Sequence, residues 1–278
     1  SNGDTSTIPG ISSLVAGFYD LHIEDANECA IDVANIQVTQ PLILDVSYVP
    51  VEDASCFGSS DGSISVNISG GTVPYKLYNV LLLANDTIIS NLAAGNYFVS
   101  VSDNNGCPDT ITITIEEPAV LSISDSLEDV PCKGDSTGEI HVTAVGGTAP
   151  YEYSIDNGAT YQSQNYFNGL SAGAYSISVK DANDCMSFKL STVTEPLTVL
   201  NSGLTAPNLL CFSDTGSIVL AVNGGIPNYS FHWNNGVVTQ NLNGVGAGNY
   251  TVIITDANGC KDTAEITLTE PSAIILTD

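Results

Sequence analysis

The sequence predicts an all-β chain of small antiparallel sandwiches placed in series. Three observations carry this. Apolar and polar residues alternate in segment after segment, as in Ser63-Ile64-Ser65-Val66-Asn67-Ile68-Ser69, which puts Ile64, Val66 and Ile68 on one face. Strand formers dominate, with one Met and only five basic residues, so long helices are not expected. Four sets of markers also keep one period. Cys29, Cys107, Cys185 and Cys260 step by 78, 78 and 75 residues, and Tyr19, Tyr97, Tyr175 and Tyr250 step identically. Pro41, Pro118, Pro196 and Pro271 step by 77, 78 and 75, and Cys56, Cys132 and Cys211 by 76 and 79. A period of that length means repeated structural units.

Read in order, each unit has the same parts. The alternating strand recurs at Ile140 and Val142, and at Ile218, Leu220 and Val222. Gly70-Gly71, Gly146-Gly147 and Gly224-Gly225 end it, and Pro74, Pro150 and Pro227 precede a new strand at Tyr75, Tyr151 and Tyr229. Leu92-x-x-Gly95-x-Tyr97 and its counterparts fit a tyrosine corner at Tyr19, Tyr97, Tyr175 and Tyr250, where a phenol hydroxyl ties back to upstream backbone. The strand it leads alternates as Tyr97, Val99, Val101. Asn105-Gly106 and Asn258-Gly259 mark hairpins before a last strand that carries Ile111, Ile113 and Ile115. One buried and one wet face per strand means two packed antiparallel sheets. About seven short strands per unit make the expected class tandem immunoglobulin-like β-sandwich domains in an elongated array.

The period sets the boundaries. Residues 42–118, 119–196 and 197–271 are full units. Residues 1–41 match the C-terminal half of one, with Asn2-Gly3 aligned to Asn157-Gly158, and 272–278 match the first strand of another. The chain is therefore expected to be an excerpt of a longer array, with about 35 Å per unit along strands that rise about 3.3 Å per residue.

Composition narrows the function. Lys plus Arg number 5 against 31 acidic residues, a net charge of −26, while 43% of residues are apolar. There is apolar matter for several cores, and no basic patch to engage nucleic acid or an anionic membrane. No apolar run approaches the roughly 18 residues of a spanning helix. No nucleophile grouping, phosphate loop or dinucleotide fingerprint is present, so an enzyme is not expected.

Each full unit holds two cysteines, read as pairs Cys56–Cys107, Cys132–Cys185 and Cys211–Cys260, with Cys29 left for a partner upstream. Zinc is disfavoured because no CxxC pair occurs and the chain has only three His. Disulfides imply an oxidising, exported setting.

The string Cys132, Gly134, Ser136, Gly138, Gly146-Gly147, Pro150-Tyr151, Leu170, Gly173, Tyr175, Asp181, Asn183, Cys185 and Glu195-Pro196 resembles the SprB-type repeat of gliding-motility adhesins. Trp233-Asn234-Asn235-Gly236 is similar to an aromatic-then-Asn-Gly segment of that family. Gln40-Pro41 in place of Glu-Pro, and the shortened Cys211-Phe212-Ser213 loop, are departures confined to loops. The resemblance implies a long, tandemly repeated, extracellular cell-surface protein of gliding Gram-negative bacteria, exported by the type IX system. Its expected partners are further repeats of the same chain, the outer-membrane gliding or secretion machinery, and the substratum or surface polysaccharide. Passive spacer repeats of another large secreted protein are the alternative.

Five sets of candidate site residues remain. Asp103/Asn105, Asp181/Asn183 and Asp256/Asn258 offer oxygen ligands for Ca²⁺, or build the hairpin turn through Asx hydrogen bonds. The second reading is favoured because no calcium-loop motif accompanies them. No other cofactor is expected. Thr87, Thr110, Ser126, Ser136 and Thr263, each after Asp, resemble O-glycosylation acceptors of such bacteria, although a Thr- and Asp-rich chain produces such matches anyway. Asn67, Asn85, Asn228 and Asn249 head Asn-x-Ser/Thr triplets of little meaning in a bacterial export. Trp233, Tyr78 and Tyr153 are read as core or sheet-face residues rather than a sugar platform, and His22, His141 and His232 as surface residues.

Overall fold

The computed structural model describes residues 10–49, 51–77, 80–82 and 86–275, and these contain strands and no helix. Asn2-Gly3, Tyr78, Asn85 and residues 276–278 lie outside the described residues, and Thr87 is described in its backbone alone. The chain divides into two compact units, Ser1–Pro118 and Ala119–Asp278.

The first unit opens with the hairpin β1 (Gly17–Glu24) and β2 (Ala30–Val38). It continues with β3 (Asp45–Tyr48), β4 (Gly62–Ser69), β5 (Tyr75–Leu77), β6 (Val80–Leu82), β7 (Asp86–Leu92), β8 (Gly95–Ser102) and β9 (Pro108–Ile115). These form an antiparallel sheet β3-β4-β7 and another of order β6-β5-β8-β9.

The second unit holds two repeats. The first is β10 (Ser122–Glu128), β11 (Gly138–Val145), β12 (Glu152–Ser154), β13 (Tyr166–Leu170), β14 (Gly173–Lys180) and β15 (Met186–Val193). The other is β16 (Asn201–Thr205), β17 (Gly216–Asn223), β18 (Ser230–Trp233), β19 (Leu242–Val245), β20 (Gly248–Thr255) and β21 (Lys261–Leu268). Their sheets are β10-β11-β13 with β12-β14-β15, and β16-β17-β19 with β18-β20-β21. In each repeat the third strand leaves the first sheet, the fourth returns to it, and the last two join the second. That order is the A-B-E and C-F-G arrangement of an immunoglobulin-like sandwich. Residues 272–275 form no strand.

Alternation decides what each strand buries. Ile64, Val66 and Ile68 from one sheet meet Val99 and Val101 from the other in one core. Ile140 and Val142 meet Ile177 and Val179 in the next, and Ile218 and Leu220 meet Val252 and Ile254 around Trp233 in the third. Gly138 opens β11 where the two sheets close. A Cβ there would lie 2.7 Å from Val193 Cγ1, so the last glycine of the C-x-G-x-S-x-G string is set by core space.

Candidate functional site: the junction loops and their cysteines

Three side-chain devices recur in every full repeat, and together they position the cysteines. The first is the Asp of the D-x-N-x-C turn. Asp256 Oδ1 accepts the backbone N–H groups of Asn258 and Cys260 at 2.9 and 2.8 Å, and Oδ2 accepts that of Ile226 at 2.8 Å. Asp103 does the same for Asn105, Cys107 and Thr72, and Asp181 for Asn183, Cys185 and Thr148. All three carboxylates are buried. The Cys107 N–H foremost holds the Asp103 carboxyl below the ordinary carboxylate range, against the opposing effect of burial. These oxygens are committed to main-chain donors, the arrangement of an Asx turn tied to the neighbouring Gly-Gly loop. Among the described residues no group of His, Cys, Asp or Glu is arranged to hold a metal ion. The N-terminal hairpin carries the same device: Asp25 Oδ1 accepts from Asn27 and Cys29 at 2.8 and 2.9 Å.

The second device is the tyrosine pair. Tyr19, Tyr97, Tyr175 and Tyr250 each donate their hydroxyl to the carbonyl four residues earlier, on Val15, Ala93, Ser171 and Gly246, at 2.7 to 2.9 Å. Tyr75, Tyr151 and Tyr229 donate to Gly70, Gly146 and Gly224 at 2.7 Å, closing the Gly-Gly loop.

The third device, which sequence reasoning missed, is the Glu of Glu-Pro. Glu117 Oε2 accepts the Gly58 N–H at 2.6 Å, and Glu195 and Glu270 accept those of Gly134 and Ser213 at 2.7 Å. Each carboxylate thus pins the loop that carries the repeat's first cysteine. At Glu195 the Lys133 ammonium also pairs with the carboxylate, and with the Gly134 N–H it holds that carboxyl below its usual range. The recurrence of Glu-Pro in phase with Cys-x-Gly was the available signal.

This third contact overturns the predicted pairing within repeats. Cys260 precedes β21, whereas the Cys211 loop is pinned to Glu270 beyond its far end. Eight strand residues rise about 26 Å, and two cysteines can bond only with Cα atoms within about 7 Å. The same geometry separates Cys132 from Cys185 across β15, and Cys56 from Cys107 across β9. Cys132 is instead bonded to Cys260, 128 residues away in the next repeat, with Cα atoms 5.6 Å apart. Cys29, Cys107 and Cys211 are exposed thiols.

The Cys132–Cys260 bridge therefore joins two sandwiches. Beside it the Asn258 side-chain amide donates to Pro131 O at 3.0 Å. A cleft of about 200 Å³ between the two repeats is lined by Lys133, Asp135, Val199, Gly225 and Lys261, among others.

The remaining predicted positions are dispersed. Thr110, Ser126, Ser136 and Thr263 are exposed. The Asp partners of three of them are engaged in the fold: Asp109 accepts the Val46 N–H at 2.8 Å, Asp125 meets Lys189 and Ser191, and Asp262 accepts from Ser202 at 2.5 Å. Trp233 is fully buried with Nε1 donating to Thr239 O at 2.9 Å, and Tyr153 is buried. His22, His141 and His232 are exposed, and the Asp32 contact at 2.5 Å raises the pKa of His22.

Residues 49–76, 124–160 and 201–238 match the family model of the SprB repeat. Three segments of the chain are SprB repeats. Among curated proteins the chain has no match. Solved structures similar to it include the N-terminal eight Ig domains of Down Syndrome Cell Adhesion Molecule isoform 1.30.30, at 10% identity and a TM-score of 0.37. That alignment covers 92% of this chain and 43% of the other, so the chain spans less than half of that fragment. Extracellular domains 3–5 of Drosophila OTK align at 10% identity over 77% of this chain and 93% of theirs, with a TM-score of 0.30. A C-terminal 282-residue fragment of intimin, in complex with the intimin-binding domain of its translocated receptor, aligns at 13% over 60% and 67%, with a TM-score of 0.31. The fold assignment rests instead on the strand order given above.

Proposed function

We propose that this chain is a load-bearing stretch of a long extracellular adhesin filament, used for gliding motility and surface attachment and exported by the type IX route. The observation that carries the reading is the combination of three SprB repeats with a disulfide that joins one sandwich to the next. Pulled from residues 119 and 271, such a pair transmits tension through Cys132 and Cys260. The backbone between them, residues 133–259, then carries none of it. A stalk that must stay at fixed length while a cell drags on it gains from that bypass. The high net negative charge disfavours collapse of neighbouring repeats onto one another. Substratum or surface polysaccharide at one end and outer-membrane machinery at the other are the partners this reading requires, and O-linked glycans on the exposed Thr and Ser residues are compatible with it.

The test uses antibody raised against the 278-residue chain. Beads coated with it are expected to bind intact cells of the source bacterium and to travel along them. Labelling only after permeabilisation would overturn the surface location. Bound but stationary beads would favour the passive-spacer reading. Load bearing is measured by pulling single molecules from the termini. Reduction is expected to lengthen the unfolded chain by at least on the order of 440 Å, the contour of residues 133–259 at about 3.5 Å each.

A further inference from the structure

The loop Pro131–Gly134 of the middle repeat receives the following repeat through two contacts, the Cys132–Cys260 bond and the Asn258 amide on Pro131 O. The corresponding loop one repeat later, Leu210–Ser213, is built in the same way. Glu270 accepts the Ser213 N–H at 2.7 Å, as Glu195 accepts that of Gly134. Its receiving groups are open: Cys211 is an exposed thiol and Leu210, the counterpart of Pro131, is 86% exposed. A loop built like the one that already holds a repeat, with both of its receiving groups open, fits one occupant, a further copy of the same repeat.

We propose that Cys211 is a receiving cysteine, and that where a further copy of the repeat stands after residue 271 its second cysteine bonds to Cys211 by the rule that joins Cys260 to Cys132. Leu210 O then accepts the side-chain amide of that repeat's hairpin Asn. Closure takes one hydrogen from each thiol. A small disulfide oxidant is cleaved at its S–S bond and leaves as two thiols while the new protein S–S bond forms. The inference rests on tandem repetition alone and stands whether or not the filament serves adhesion.

The test compares the 278-residue chain with one in which residues 197–271 are repeated once more after residue 271. Both are equilibrated with oxidised and reduced glutathione, alkylated, digested and mapped without reduction. In the parent chain Cys29, Cys107 and Cys211 are expected to be alkylated and the Cys132 and Cys260 peptides linked. In the extended chain, alkylation of Cys211 is expected to fall at least tenfold, with its peptide linked to the added copy of Cys260. Cys211 still alkylated in a folded extended chain, or linked to Cys260 of its own repeat, would overturn the rule. If the extension fails to fold, Cys132→Ser in the parent chain decides. The rule expects Cys260 and Cys211 both to be alkylated, and a Cys211–Cys260 bond would refute it.

Discussion

Replacing Asp256 measures how much one buried carboxylate contributes to a repeat. Its two oxygens take three main-chain N–H groups, from Asn258, Cys260 and Ile226, at 2.8 to 2.9 Å. Asparagine in its better orientation keeps the two bonds to Oδ1 but turns an amide N–H toward that of Ile226. One charge-assisted bond is lost and donor faces donor, a cost of about 1.5–3 kcal/mol. Alanine leaves all three donors without their acceptor. Asn258 lies at the surface, where water replaces part of the loss, so the cost is about 3–5 kcal/mol rather than the full sum. Trp233 is the chain's single Trp and is fully buried in the same core, so its fluorescence in a urea titration of the whole chain reports this repeat alone. With an unfolding slope of about 1–2 kcal/mol per molar for a domain of this size, Asp256→Asn is expected to lower the midpoint by about 1–2 M, and Asp256→Ala by more. The wild-type curve in EDTA is expected to superimpose on that in buffer, because the carboxylate's partners are amides. The reasoning fails if both variants stay within about 0.3 M of wild type, if alanine is no worse than asparagine, or if the chelator moves the wild-type curve.

Three further outcomes follow from the same geometry. Tyr250→Phe removes the hydroxyl donated to Gly246 O and should cost about 1 kcal/mol by the same fluorescence titration, an unchanged midpoint arguing against a tyrosine corner. Gly224→Ala places a Cβ 2.0 Å from Val199 O at a φ of +71°, and is expected to cost at least about 2 kcal/mol, against a null result if the loop simply opens. Acid should loosen the loops that Asp61 and Asp156 hold. The Ser55 and Ser59 hydroxyls lower Asp61 from 3.8 to about 2, and Ser154 and Thr160 do the same for Asp156. A carboxyl with a depressed folded pKa stabilises the fold above its unfolded value and loses that contribution as pH falls through the folded one. Protection of the amides around Ser55 and Thr160, taken relative to their intrinsic exchange rates at each pH, should therefore fall between pH 3.8 and about 2 in the native chain, and Asp156→Asn should abolish that fall near Thr160.

The sandwiches could be read from sequence because their information is local. Ile64, Val66 and Ile68 alternate, and the positions two apart become the core face. Asp, Asn and Gly at the hairpin carry their turn chemistry with them. The cysteine pairing could not be read, since spacing alone does not say at which end of a strand a loop docks. Cys211 and Cys260 belong to one repeat in sequence and to its two ends in space, because Glu270 holds the Cys211 loop after β21 has run its course. The uncovered apolar residues of β1 and β2, Ile23, Ile31 and Val33 among them, follow the same pattern as buried counterparts such as Val101. Periodicity marks the face but not what covers it.

The Cys132–Cys260 bond has a consequence for damage as well as for tension. A protease that cuts any one peptide bond in residues 133–259 opens the main chain, yet the fragments on either side of the nick remain tied through sulfur. Two cuts in this stretch release at most an inner piece, and residues 119–132 stay fastened to 260–271. Severing the strand between its neighbours requires a break in one of the two short flanks or reduction of the bridge, so this stretch wears as a spliced rope does, losing fibres before it parts.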